Sequence, residues 1–271
     1  MPAAIFLFVV FVVPLGSLLL RSVTDPQLGL GNYVQLLGDI TYRRVLTNTF
    51  TVAAVVTLVT LLLGYPVAWL LVILPSRVAR CFFAIILLSM WTNLIARTYA
   101  WMVLLQKKGV INSALIDLGL IDKPLSWLLF SEPAVHFGLL GPFLPNMVWP
   151  IFLSLVLIDD ELLEASKDIG ASPWQTLRHV ILPLAMPGIL AGIIFSFVPM
   201  LGDDVVAKVL GGQQVLMLGG AMLDLITALN YSVAAAMSAL ILGIIALLQL
   251  AVVVILRRIG RGASLVEGLR K

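Results

Sequence analysis

The sequence predicts an all-α integral membrane protein with about six transmembrane helices. Three observations carry that expectation. Of the 271 residues, 61% are hydrophobic and only 11% are charged, against roughly 45–50% and about 25% in an average soluble domain. The mean hydropathy is +1.10. The apolar residues also come in blocks long enough for a membrane-spanning helix, which takes about 20 of them. The period-two alternation of an outer-membrane barrel is missing from these blocks.

Six runs lack Asp, Glu, Lys and Arg: 2–20, 45–74, 81–96, 133–158, 180–202 and 225–256. The third continues past Arg97 to Gln106. Spans are expected near 3–20, 46–74, 82–105, 136–157, 184–202 and 234–256, forming one transmembrane domain over 1–271. The first run has no basic n-region and is too long for the apolar core of a signal peptide, so it reads as a retained span. The second exceeds the bilayer, and tilt would absorb the excess. Its Pro66 should kink the helix rather than end it. Between the third and fourth runs, short helices are expected around 111–118 and 125–130. The sides of the membrane are weakly marked. Nine Lys and Arg fall on the side of the termini (Arg77, Arg80, Lys167, Arg178, Arg257, Arg258, Arg261, Arg270, Lys271) and seven on the other. The short Pro75–Arg80 loop and the basic tail favour termini in the cytoplasm.

Several chemistries drop out. A lone cysteine, Cys81, rules out an internal disulfide framework or a cysteine-based metal cluster. His136 and His179 are far apart and have no catalytic partners in sequence, so neither a zinc site nor an enzyme is expected. The net charge of +3 comes largely from basic residues beside the last span. Anionic lipid, not nucleic acid, accounts for them there.

The most charged stretch, Asp159–His179, carries the local chemistry. Asp159, Asp160 and Glu161 sit where a helix N-terminus favours negative charge. Gly170 suits a left-handed C-terminal cap. Ser172-Pro173-Trp174-Gln175 then reads as a second helix start, with Ser172 as N-cap, Pro173 in the first helical position and Gln175 closing a capping box. Trp174, Leu177, Val180 and Ile181 share one face. From the residues alone, this is an amphipathic loop lying on the membrane.

The whole string says more. Glu164-Ala165-Ser166, then Gly170, then Ile181-Leu182-Pro183 resembles the EAA loop of type I ABC importer permeases, with Ser166 where that family usually has alanine. Other segments resemble the spermidine/putrescine-type members, in particular their first permease. These are Gly64-Tyr65-Pro66-Val67-Ala68-Trp69, the string from Trp91 to Trp101, Gly109-Val110-Ile111-Asn112, Pro199-Met200-Leu201-Gly202-Asp203 and Leu210-Gly211-Gly212. Asp204–Lys208 departs from the family pattern, and relatives with this signature also carry opines, other amines and aminophosphonates.

The resemblance implies a permease that docks through residues 159–183 onto a separate ATPase dimer. Glu164 would anchor the loop, and Ala165 and Ser166 would allow close approach. Gly170 would turn the chain, with Trp174, Leu182 and Pro183 completing the docking element. It also implies a second permease of different sequence, a solute-binding protein and a bacterial inner-membrane location. ATP and magnesium would sit on the ATPase. This chain has no Gly-x-x-x-x-Gly-Lys-Ser/Thr phosphate loop, and no cofactor of its own is expected.

Arg97, Tyr99, Trp101, Asp203 and Asp204 are the candidates for a translocation path or gate. An ionisable group within a span is a functional candidate by default. Arg97 is expected to pair with Asp203 or Asp204; snorkelling to the interface and contact with cargo are the alternatives. Asp203, Asp204 and Asp224 would attract a cationic cargo or serve as solvated loop acids. Tyr99 and Trp101 would offer cation–π faces or simply pack. A stand-alone secondary transporter or channel would be expected to carry several ionisable groups within its spans, and only Arg97 qualifies here.

Overall fold

The computed structural model describes residues 5–6, 8–24, 28–212 and 214–268, with side chains described as far as Arg258. Residues 3, 4 and 7 of the expected first span, and Arg270 and Lys271, lie outside the described residues, as does the side chain of Arg261. The described chain is helical, without strands. In order come α1 (Phe8–Thr24, opening on a π-helical turn), α2 (Gly31–Gly38), α3 (Ile40–Ile73), α4 (Ser76–Trp91), α5 (Leu94–Leu105) and α6 (Val110–Asp117). A 3-10 turn at Ser126–Leu128 leads to α7 (Glu132–Val156), α8 (Asp160–Asp168), α9 (Pro173–Leu201), α10 (Val205–Gly211), α11 (Leu218–Thr227) and α12 (Tyr231–Gly268).

Helices α3, α7, α9 and α12 are each long and apolar enough to cross a membrane; α1 is a shorter apolar helix. The expected span 82–105 is broken in its middle. It is two helices: α4 and the run Leu94–Asp117 meet at a 101° bend. Thr92 and Asn93 both adopt extended backbone, and the Asn93 side chain accepts from the Ile95 amide at 2.8 Å. A helix stop and an N-cap therefore sit inside an unbroken apolar run. Helix α3, by contrast, is one continuous helix of 34 residues with Pro66 inside it. At 1.5 Å per residue it is ~50 Å long, enough to project beyond a hydrocarbon core of ~30 Å.

Helix α7 packs along both α3 and α9, which also touch each other. Glycines permit the close approach, as in other membrane helix pairs. A Cβ on Gly64 of α3 would meet the Met147 side chain at 3.0 Å, and one on Gly192 of α9 would meet the Met147 sulfur at 2.8 Å. Gly188 lies against the Pro150 carbonyl and the Ser154 hydroxyl of α7. Two buried clusters result. One gathers Ala68, Leu71, Met147, Ile151, Leu155, Ile181 and Ala185 beside α8. The other gathers Val52, Leu139, Met200, Leu210 and Met217 towards the far ends of α7 and α9.

Polar ties inside the bundle follow from the same need to satisfy backbone groups in an apolar medium. Pro199 lacks an N–H, so the Phe195 carbonyl one turn earlier has no helical donor. Asn146 Nδ2 of α7 donates to it at 3.3 Å. Nearby, Ser196 Oγ donates to the Phe143 carbonyl at 3.3 Å. On α3, the buried Thr49 hydroxyl donates to the Val45 carbonyl at 2.8 Å and accepts from the Leu218 amide at 2.9 Å. Thr49 thus supplies from another helix the cap that α11 lacks in its own Met217.

Candidate functional site

The charged stretch folds into a compact turn between α8 and α9. Asp160 and Glu161 occupy the first turn of α8 and Lys167 its last, each on the end that the helix dipole favours. Helix α8 ends in a Schellman arrangement: the Ala171 amide donates to the Ser166 carbonyl at 3.0 Å, and Gly170 to Lys167 at 2.8 Å. Gly170 has φ +75°, with open space around the position a Cβ would take. Its glycine is therefore required by backbone conformation, not by crowding. Ser172 and Gln175 form the capping box, the Ser172 amide donating to Gln175 Oε1 at 2.7 Å and the Gln175 amide to Ser172 Oγ at 3.3 Å. A π-helical turn at Leu177–Ile181 then carries the chain into the apolar body of α9.

The loop has two faces. Leu163 packs inward against the cluster around Met147 and Ile181, together with Leu177 and Leu182. Glu164 and Ala165 point outward, and among the described residues Glu164 makes no ion pair. Beside them Leu162, Ile169 and Trp174 are 47%, 85% and 66% exposed, an apolar surface on an otherwise charged turn. Trp174 also rims a groove of about 430 Å³ shared with Tyr65, Trp69 and Leu177. Pro183 is exposed at the start of the regular part of α9. Ser166 differs from the expectation. Instead of giving an outside partner close approach, it is 5% exposed and turned inward. Its hydroxyl donates to the Leu163 carbonyl at 2.8 Å and pairs with Thr176 Oγ1 at 3.1 Å. Sequence reasoning passed over Thr176, whose partner lies on another helix.

At the other end of α9, the second set of candidates does not assemble as expected. Arg97 forms no ion pair with Asp203 or Asp204; among the described residues the one salt bridge is Lys208–Asp224, at 3.8 Å and largely exposed. Such a pair contributes about 0–1 kcal/mol. The Nε and Nη1 atoms of Arg97 are buried, with no hydrogen-bond partner among the described residues. Asp203 is occupied elsewhere, since its carboxylate accepts from the Val206 amide at 3.1 Å and caps α10. Asp204 is half-buried beside it. Tyr99 is 54% exposed. Trp101 is packed, its indole against Gly141 of α7.

Burial raises the Asp203 carboxyl from 3.8 to about 6, against the pull of the Val206 and Ala207 amides. The folded protein therefore holds this proton more tightly than the unfolded chain does. The resulting stabilisation is fully present below about pH 4 and lost as pH rises through about 6. Asp203→Asn keeps an acceptor for Val206 and carries no charge. It should melt higher than the parent at pH 7.5, by the equivalent of about 3 kcal/mol, and at the same temperature at pH 4. Thermal unfolding in detergent across that range measures it; a parallel offset at both pH values would contradict the assignment.

Residues 48–264 match the family described as binding-protein-dependent transport system inner membrane component. The spermidine/putrescine transport system permease protein PotB of Escherichia coli K12 is 40% identical over 190 residues, covering 70% of this chain and 68% of that protein. PotB of Haemophilus influenzae is 34% identical over 227 residues, 80% of this chain and 79% of that one. Among solved structures, a bacterial ABC transporter that imports the acidic polysaccharide alginate superimposes with a TM-score of 0.76 at 16% identity, over 95% of this chain and 93% of the other. The MetNI methionine ABC transporter gives 0.59 at 21% identity, over 84% and 98%. The folds agree, the family match covers most of the chain, and the protein belongs to the binding-protein-dependent transport system inner membrane components.

Proposed function

We propose that this chain is the permease subunit of an ATP-driven importer carrying a polyamine such as spermidine or putrescine, or a related small amine, across the bacterial inner membrane. The observation that carries the reading is the turn from α8 into α9. An outward face of Glu164, Ala165, Ile169 and Trp174 is built on a capped, hydrogen-bonded unit that is continuous with a long apolar helix. A push on that face moves α9, and α7 with it through the glycine-mediated seam. The cargo class is supported by the PotB relatives.

In this reading an ATPase dimer binds the α8–α9 turn in the cytoplasm and holds the ATP and magnesium. A second permease of different sequence completes the path. A solute-binding protein delivers cargo at the opposite end, where Asp203, Asp204 and Tyr99 lie. Both termini are cytoplasmic. A cysteine placed at Trp174 in a Cys81→Ser background should react only with reagents that enter the cell; labelling by an impermeant reagent from outside would reverse the orientation.

The direct test reconstitutes the four components in vesicles. A binding protein loaded with spermidine or putrescine should raise ATP hydrolysis severalfold and drive uptake of labelled amine. Stimulation by an opine or an aminophosphonate, with none by polyamines, would replace the cargo. Uptake without any ATPase subunit would overturn the importer itself.

A further inference from the structure

We infer that Ser166 and Thr176 form a hydroxyl tie that locks the two helices of the α8–α9 turn into one rigid lever. The inference rests on the reading of this turn as the ATPase-binding element and adds positioning residues to it.

The argument begins with the backbone. Helices α8 and α9 are joined covalently only through Ile169–Ser172, and Gly170 in that stretch is a residue with wide conformational freedom. The Schellman bonds fix the end of α8, and the capping box fixes the start of α9, but each acts within its own helix end. The described side-chain hydrogen bond that crosses from one helix to the other is Ser166 Oγ to Thr176 Oγ1 at 3.1 Å.

Its direction follows from proton counting. Ser166 has one hydroxyl proton, which goes to the Leu163 carbonyl at 2.8 Å. Thr176 must then donate and Ser166 accept. The tie is part-buried, with Ser166 only 5% exposed and Thr176 half-buried, so water has limited access to the accepting oxygen. Thr176 is also the last residue before the π-helical turn Leu177–Ile181, where the helix is locally overwide. A crosslink at that place holds α8 against the part of α9 that would yield first. The resemblance places alanine at the position of Ser166, so the tie is a property of this chain and not of the loop pattern.

The test uses the full reconstituted complex and reads two quantities, the ATPase subunit retained on affinity purification and hydrolysis stimulated by the loaded binding protein. Thr176→Val removes the donor but leaves Ser166 satisfied by Leu163. Ser166→Ala removes the acceptor. Each should lower stimulation by about fivefold, the scale of one neutral hydrogen bond, with the ATPase still retained because the outward face is intact. Thr176→Ser, which keeps the hydroxyl, should restore stimulation, and the Ser166→Ala, Thr176→Val double variant should be no worse than either single one. Gly170→Val runs alongside. If it abolishes stimulation while Ser166→Ala and Thr176→Val behave as the parent, the tie is refuted and the docking reading stands. If Gly170→Val is also normal, the docking reading fails first. Loss of the ATPase from the Thr176→Val complex, or failure of Thr176→Ser to rescue, would overturn the tie as a lever.

Discussion

Transport is expected to stop in Gly170→Val and in Glu164→Ala, although both proteins should still insert in the membrane. The two variants fail for different physical reasons. Gly170 sits at φ +75° with nothing near the position of a Cβ, so valine meets a conformational penalty and no clash. A left-handed residue costs roughly 1–2 kcal/mol, more for a β-branched side chain, and the cheapest escape is to unwind the Schellman turn. That swings α8 away from α9 and takes the outward face with it. Glu164 is exposed and makes no ion pair within the described chain. Its removal should leave the permease fold untouched while deleting a charge that only a partner uses. The assembled complex should therefore either lose its ATPase subunit or hydrolyse ATP without answering the binding protein. Gly170→Asn separates conformation from identity, because asparagine tolerates the left-handed region. It should retain at least part of the transport that valine destroys. Uptake and stimulated hydrolysis in vesicles, with ATPase pull-down, measure all three, and normal values in both Glu164→Ala and Gly170→Val would mean that the turn is a surface helix pair.

The elements that were legible in the sequence are those whose signals are local. Ser172 and Gln175 lie three residues apart and cap their own helix. Gly170 follows the last residue of a short periodic segment, and long uncharged runs mark α3, α7, α9 and α12. The bend between α4 and α5 also had a local signal in Asn93, but an apolar run spanning it outweighed one polar residue. Pairings across the fold were not legible. Asp203 caps the helix that follows it, satisfying the amides of Val206 and Ala207, and sequence alone sets no preference between those amides and Arg97. Thr49 and Leu218 are 169 positions apart, and Asn146 and Phe195 49. Each of these contacts exists because two helices pack in one register, and periodicity alone does not fix the register between helices. Ser166 is the instructive case. Its small size was visible, but its inward direction depends on Thr176, which only the fold brings near.

The largest loss of folded protein is expected from Gly188→Val. A Cβ at this position in α9 would fall on the Pro150 carbonyl and the Ser154 hydroxyl of α7. The carbonyl belongs to helix backbone, so it cannot rotate away; relief requires moving α7 and α9 apart along the seam. Overpacking a core with flexible neighbours costs about 1–3 kcal/mol, and here the neighbour is rigid and the substituent larger than one methyl. The same seam holds Gly192 against Met147 and the bond from Asn146 to the carbonyl that Pro199 leaves open. Separating the helices therefore sacrifices several interactions together, in a medium that offers no water to replace them. Gly188→Val should fail to yield monodisperse protein in detergent, and Gly188→Ala should melt well below the parent. Gly64→Ala should be milder, because the atom it meets at 3.0 Å is a methionine side chain able to shift. Gly16→Ala, with nothing within 4 Å, should be neutral. Adding Ser154→Ala to Gly188→Ala removes the hydroxyl and leaves the Pro150 carbonyl, so it should recover only part of the loss. Full recovery would mean that the serine, and not the backbone contact, sets the spacing of α7 and α9.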